Sequence, residues 1–234
     1  MKILAIGNSF SQNATELLEI LSNDLFVRNL YIPGCSLKMH AENIINNANN
    51  YEYQENGTPC VDNKISIKDA LLKEKWDYIT IQQCSGDSGM LESYYPYIND
   101  LIAYIRKYSK TEIIFHETWT YEDDSTHPCF PLYDNDRSKM YKNLLKATNH
   151  IVKHENLRVI RSGEAIEKAR KYKAFDKKQG GINITCDGFH LSSYGKFLVA
   201  GVWMKFFTNK IPEYLKTKNL SPQFKVIKKI LEKE

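Results

Sequence analysis

Just beyond a short apolar run, Lys2–Ile6, the chain reads Gly7-Asn8-Ser9-Phe10-Ser11. A serine hydroxyl becomes a nucleophile only when a base takes its proton. Such a base stands far along the chain, in Cys186-Asp187-Gly188-Phe189-His190. An aspartate three residues before a histidine, across a turn, can accept the proton of one ring nitrogen. That holds the tautomer whose other nitrogen is free to receive the serine proton. The same spacing recurs in Asp124-Ser125-Thr126-His127, within a polar loop that runs into Pro128. The pair at 187–190 instead stands directly before a long apolar segment. A buried helix supports its leading turn rigidly, so His190 is the preferred base. The bland alternative for Ser9 or Ser11 is a helix cap, a common use of serine. The phosphate-binding patterns G-x-G-x-x-G and G-K-[ST] are absent.

The elements that must position these residues can be read from periodicity. Short β-like runs cover Lys2–Ile6, Val27–Ile32, Trp76–Gln83, Glu112–His116 and Leu157–Ile160. Between them apolar residues recur at helical spacing, as in Leu17, Leu18, Leu21 and Leu25, or Leu101, Ile102 and Ile105. Further helices are expected over Met140–Val152, Ser162–Tyr172, about Ser193–Phe207 and about Pro222–Lys233. Ile44–Ile67, Asn-rich and broken by Gly57-Thr58-Pro59, reads as loop with a short helix. Strands alternating with helices predict an α/β domain with a parallel, five-stranded sheet covered on both faces. In such sheets the site lies beyond the carboxyl ends of the strands. That singles out Gly7–Ser11, Pro33–Ser36, Gln82–Asp87, His116–Trp119 and Asp187–His190.

Composition excludes several classes. The 234 residues carry a net charge of +4, with 42% apolar residues. Seven lysines and three glutamates lie at 210–234, so the whole excess sits in that stretch and the remainder is neutral. A nucleic-acid partner is not expected, because its basic patch should belong to the folded body. No apolar run reaches the roughly 20 residues of a membrane span, and the N-terminal run is too short for a signal-peptide core. Cys35, Cys60, Cys84, Cys129 and Cys186 are odd in number and widely spaced. Free thiols and a cytoplasmic location are the expectation.

Together, G-N-S after the first strand, a glycine (Gly34) after the second, and D-x-x-H before the last core helix resemble the SGNH (GDSL-type) serine hydrolase superfamily, over about Met1 to Phe207. The resemblance implies a three-layer α/β/α sandwich of flavodoxin-like type, with residues 1–209 as the catalytic domain and 210–234 as a basic helix packed on it. It implies Ser9 as nucleophile, His190 as base and Asp187 as its partner, with an oxyanion hole built from the N–H groups of Ser9 and Gly34. The third oxyanion donor is usually an asparagine in G-x-N-D. This chain has Gln82-Gln83-Cys84-Ser85-Gly86-Asp87 instead, so Gln83, or failing it Gln82, is the expected substitute. Asn8 also replaces the more usual aspartate. Gln82, Trp119 and Phe189 are read as substrate-facing, Trp119 as a platform for a sugar ring. The loops Tyr51–Ile65 and Tyr121–Asp136 are expected to flank the mouth. His116 and Glu117 are adjacent, with no helix-spaced histidine pair, and read as structural rather than as metal ligands. No metal or organic cofactor is expected. The implied activity is hydrolysis of a short acyl ester, such as an acetylated carbohydrate or other small molecule. A binding domain on the same scaffold, or an acyltransferase with the same triad, remain open, as does the oligomeric state.

Overall fold

The computed structural model describes residues 1–233. Seven strands form one sheet: β1 (Lys2–Gly7), β2 (Phe26–Tyr31), β3 (Glu52–Glu55), β4 (Thr58–Pro59), β5 (Tyr78–Ile81), β6 (Glu112–Glu117) and β7 (Arg158–Arg161). Their order is β4-β3-β2-β1-β5-β6-β7. The five strands read from the sequence are the parallel ones, β2-β1-β5-β6-β7, arranged as in flavodoxin. The sheet therefore has seven strands rather than five. The two additional strands are antiparallel and extend the β2 edge.

That hairpin lies in the stretch read as loop. Glu55 pairs with Thr58 across Asn56-Gly57, and both turn residues have positive φ, 48° and 76°. This is the two-residue turn that Asn-Gly favours between strands. Its strands are only four and two residues long and carry no apolar alternation, so periodicity does not announce them.

Helices cover both faces. On one lie α1 (Ser9–Thr15), α2 (Leu18–Leu21), α7 (Ser162–Arg170), α8 (Ser193–Thr208) and α9 (Pro222–Leu231). On the other lie α3 (Leu37–Ile45), α4 (Ile67–Lys73), α5 (Tyr97–Tyr108) and much of α6 (Arg137–His154). Residues of β1 alternate between the two cores: Ile3 and Ala5 meet the first, Leu4 and Ile6 the second. A strand buried on both sides reads as a continuous apolar run, which is why Ile3–Ile6 is so plain in sequence. Helix α8 is apolar nearly all round, as a helix enclosed by its neighbours must be. Its Ser192 cap accepts from the Gly195 N–H, and Trp203 and Leu198 are fully buried. Helix α9 sends Val226, Ile227, Ile230 and Leu231 into the same core. No helix among the described residues is long and apolar enough to cross a membrane, and the five cysteines are unpaired.

The hairpin offers a direct check on the fold. At φ +76°, with the Glu16 Cβ 3.2 Å from where a methyl would go, Gly57→Ala should cost about 1 kcal/mol. Urea denaturation should show it as a lowered midpoint with an unchanged slope.

Candidate active site

The first turn of α1 stands at the carboxyl end of β1, next to the middle of the sheet. Asn8 caps the helix, its side-chain oxygen accepting from the Phe10 N–H at 2.9 Å. Ser9 is thus the first helical residue, where backbone N–H groups have no intrahelical acceptor. Its Oγ lies 2.9 Å from His190 Nε2. On the far side of the ring, His190 Nδ1 lies 2.7 Å from Asp187 Oδ2. An ionised carboxylate can only accept, so Nδ1 carries the proton. Nε2 is then the acceptor and the Ser9 hydroxyl the donor.

The loop bearing Asp187 and His190 is a narrow, cross-linked turn. Thr185 bridges to Leu191, and Cys186 N–H donates to His190 O at 2.9 Å. Asp187 Oδ1 accepts from the N–H groups of Phe189 and His190, at 3.0 and 2.7 Å. Gly188 has φ +93° and packs on Ser125, whose Cα would lie 3.1 Å from an added Cβ. Leu191 N–H donates to Asn13 on α1, tying this loop to the helix that carries Ser9. Burial would raise the Asp187 carboxyl, but the His190 ring and the two backbone N–H groups outweigh it and hold it below the usual carboxylate range.

Gly34 occupies the other wall. Cys35 N–H closes back on Ile32 O at 3.2 Å. With Pro33 second and Gly34 third at φ +62°, this is a type II turn, which needs φ above zero at its third residue. Asn8, Ser9, Phe10, Tyr31, Pro33, Gly34, Cys84, Ser85, His127, Phe189 and His190 line an open cavity of about 220 Å³.

Three expectations need correction: Gln83 as an oxyanion donor, and Trp119 and Gln82 as substrate-facing residues. Gln83 is buried and spent elsewhere. Its Oε1 accepts from the N–H groups of Leu37 and Cys84, and its Nε2 donates to the carbonyl and hydroxyl of Ser93. It ties the start of α3 and the end of β5 to the segment before α5, with no amide proton left for an oxyanion. Trp119 is fully buried, stacked on Phe10 at 4.3 Å, and cannot meet a sugar ring. Its indole N–H instead holds the carbonyl of Phe189, next to His190. Gln82 is also buried away from the cavity, leaving only Phe189 of the three substrate-facing residues on its wall. Of the two expected lids, the 121–136 loop contributes His127, whereas no described residue of 51–65 lines the cavity.

Gln82 has a different task. Its Nε2 donates to Asn8 Oδ1 at 2.9 Å, while Asn8 Nδ2 donates to Cys35 O at 2.9 Å. Gln82 Oε1 faces His116 Nδ1 at 2.8 Å, and His116 Nε2 faces the Ser162 hydroxyl at 2.9 Å. Burial lowers His116 to about 3, so the ring is neutral. The amide oxygen then requires Nδ1–H, and Ser162 must donate to Nε2. One directed chain of hydrogen bonds therefore crosses the carboxyl ends of β2, β1, β5, β6 and β7. Glu117 is likewise structural, accepting from Arg161 and from the Glu164 N–H. Among the described residues no cluster of three or more His, Cys, Asp or Glu could hold a metal ion.

Two cavity residues, Ser85 and His127, lie in segments singled out from the sequence, 82–87 and 121–136, but neither is given a role at the site there. Ser85 follows the two glutamines, and its Oγ lies 3.0 Å from the Tyr121 hydroxyl. His127 belongs to the second D-x-x-H, and that spacing and its place in the expected 121–136 lid are the signals for it.

A flavodoxin-like α/β/α sandwich that brings a serine at a strand end into contact with a histidine and an aspartate in the turn before α8 has the fold of the SGNH hydrolases. More particularly, the chain belongs to the family described as a domain of unknown function, DUF4886, whose model matches residues 2–224. A DUF4886 protein from Bacteroides uniformis is 32% identical, with a TM-score of 0.86 over 100% of this chain and 93% of that one. A protein from Slackia heliotrinireducens proposed to be an SGNH hydrolase is 18% identical, with a TM-score of 0.58 over 88% of this chain and 98% of that one. An acetylxylan esterase from Geobacillus stearothermophilus, solved as a catalytic mutant, is 15% identical, with a TM-score of 0.55 over 88% of this chain and 94% of that one. No curated protein matches the chain.

The hydrogen-bond chain explains Asn8. An aspartate there would set a carboxylate oxygen against the Cys35 carbonyl, with no proton between them. Asn8→Asp should therefore lower stability by about 1–3 kcal/mol, measured by urea denaturation, and the loss should shrink as pH is lowered enough to protonate the new carboxyl.

Proposed function

We propose that this protein is a serine esterase that hydrolyses short acyl esters. The observation that carries this reading is the continuous contact from Ser9 Oγ to His190 Nε2 and from His190 Nδ1 to Asp187 Oδ2. Ser9 Oγ attacks the ester carbonyl while His190 Nε2 takes its proton. Asp187 keeps the ring in the required tautomer and stabilises the imidazolium. The tetrahedral oxyanion sits against the N–H groups of Ser9 and Gly34. His190 returns the proton to the departing alcohol, leaving an acyl-Ser9. Water, deprotonated by the same nitrogen, then releases the acid and restores Ser9.

With both glutamines engaged elsewhere, Ser85 is the third oxyanion donor. When the Tyr121 hydroxyl donates to Ser85 Oγ, the Ser85 proton is free to point into the cavity. An acetyl-sized acyl group suits a cavity of about 220 Å³, well below the 300–1,000 Å³ usual for larger ligands. The fold shared with an acetylxylan esterase is compatible with a carbohydrate ester as substrate.

The parent protein should hydrolyse p-nitrophenyl acetate and take up one equivalent of an organophosphonate on Ser9. Ser9→Ala should abolish the labelling and lower kcat by about 10³-fold or more. Asp187→Asn, which keeps the shape but reverses the tautomer demand, should cost about 10³–10⁴-fold in kcat. A Ser9→Ala variant as fast as the parent would remove Ser9 from the mechanism.

Ser85→Ala should lower kcat about 10²-fold with little change in KM, the signature of a contact made in the transition state. An unchanged kcat would remove Ser85 from the oxyanion site.

A further inference from the structure

His127 lies on the cavity wall but takes no part in the steps above. Its ring stacks on Tyr121, centroids 4.3 Å apart, and stands edge-on to Phe189 at 4.7 Å. Phe189 in turn touches His190, at 4.4 Å. The His127 ring is thus clamped between two aromatic side chains, one of them adjacent in sequence to the catalytic base. Its Nδ1 accepts the Cys129 N–H at 3.1 Å. An imidazole that accepts at Nδ1 must carry its proton at Nε2. Burial, and behind it the charge of His190, lower the His127 pKa, with Asp187 pulling the other way. The ring is therefore neutral, with its tautomer set by the backbone, and the one polar group left to it is a hydrogen-bond donor, Nε2–H.

Its place relative to the triad decides what that donor meets. The oxyanion belongs on the Gly34 side. The departing alcohol belongs beside His190 Nε2, which must protonate it. His190, which protonates the alcohol, neighbours His127 through Phe189. We propose that His127 Nε2–H binds an oxygen of the alcohol portion of the substrate, so that the enzyme selects esters of polyols or sugars over esters of plain hydrocarbon alcohols. This assignment rests on the esterase reading. It makes His127 a specificity residue, not a second base, because its one unengaged nitrogen carries a proton and has no lone pair to offer.

The test separates the two claims. Binding is measured on Ser9→Ala, which needs no turnover, using a monoacetylated pyranose and cyclohexyl acetate, a ring ester without further oxygens. Adding His127→Phe keeps a ring between Tyr121 and Phe189 but removes the donor. It should weaken the sugar ester about tenfold and cyclohexyl acetate less than twofold. His127→Gln, which restores an N–H donor, should recover most of the sugar affinity. Near-UV circular dichroism checks that the aromatic cluster survives, and His127→Leu replaces the Phe variant if it does not fold. Equal weakening of both esters, no weakening of the sugar ester, or no binding of it at all would overturn the assignment. Turnover of p-nitrophenyl acetate by the parent reports on the ester chemistry alone. Turnover without a His127 effect sinks only the His127 proposal. His127-dependent sugar binding without turnover sinks only the esterase reading.

Discussion

The site depends on a buried chain of hydrogen bonds that runs across the strand ends rather than along them. From Ser162 through His116, Gln82 and Asn8 to the Cys35 carbonyl, each donor has one acceptor and each link sets the direction of the next. Burial removes the alternative of bonding to water, so an error at any link leaves a polar group unpaired. The neutral His116 ring matters because it can donate at one nitrogen and accept at the other. Asn8 matters because an amide accepts from Phe10 and Gln82 while donating to Cys35, which a carboxylate cannot do. The chain aligns five strand ends, and so fixes where the turn bearing Ser9 stands relative to the turn bearing Gly34.

A second set of contacts brings Asp187 and His190 to this platform. Asp187 and His190 come from a loop 181 residues away from Ser9, held by backbone bonds within the turn and by the rigid start of α8. Around it the segment from Trp119 to His127 forms a collar. Trp119 stacks on Phe10 and binds the Phe189 carbonyl. Glu122 N–H donates to Gly188 O, and the Glu122 carboxylate accepts from Thr185 and from the buried Arg170. Trp119 thus serves His190 through packing, which is a different use from a surface platform. The same residue type suits both, because an indole is a large apolar plate with one N–H to place.

Much of this was legible in the residues themselves. Ile3–Ile6 reads as a strand buried on both faces, the segment 193–208 as an enclosed helix, and the parallel pairing of the strands follows from their alternation with helices. Asp187 and His190 are three residues apart across a glycine-bearing turn, so their contact is a local matter. Asn56-Gly57 carried a hairpin signal, but the strands beside it are too short and too polar for periodicity to support it. For the glutamines, sequence could say only that an amide stood after β5. Both amides are engaged by backbone and side chains 10 to 74 positions away, and that engagement is what removes them from the cavity.

The sequence by itself determined the fold class, the serine at the first strand's end and the aspartate–histidine turn, because each rests on local spacing or on periodicity. It also determined that the positive charge lies at the C-terminus, apart from the residues of the site. Only the tertiary structure decided which polar side chains face the cavity. Side-chain direction after a strand depends on which distant groups compete for it, and burial makes that competition severe. Gln82, Gln83 and Trp119 were drawn inward by partners that needed them, leaving Ser85 and His127 to face the space beside Ser9.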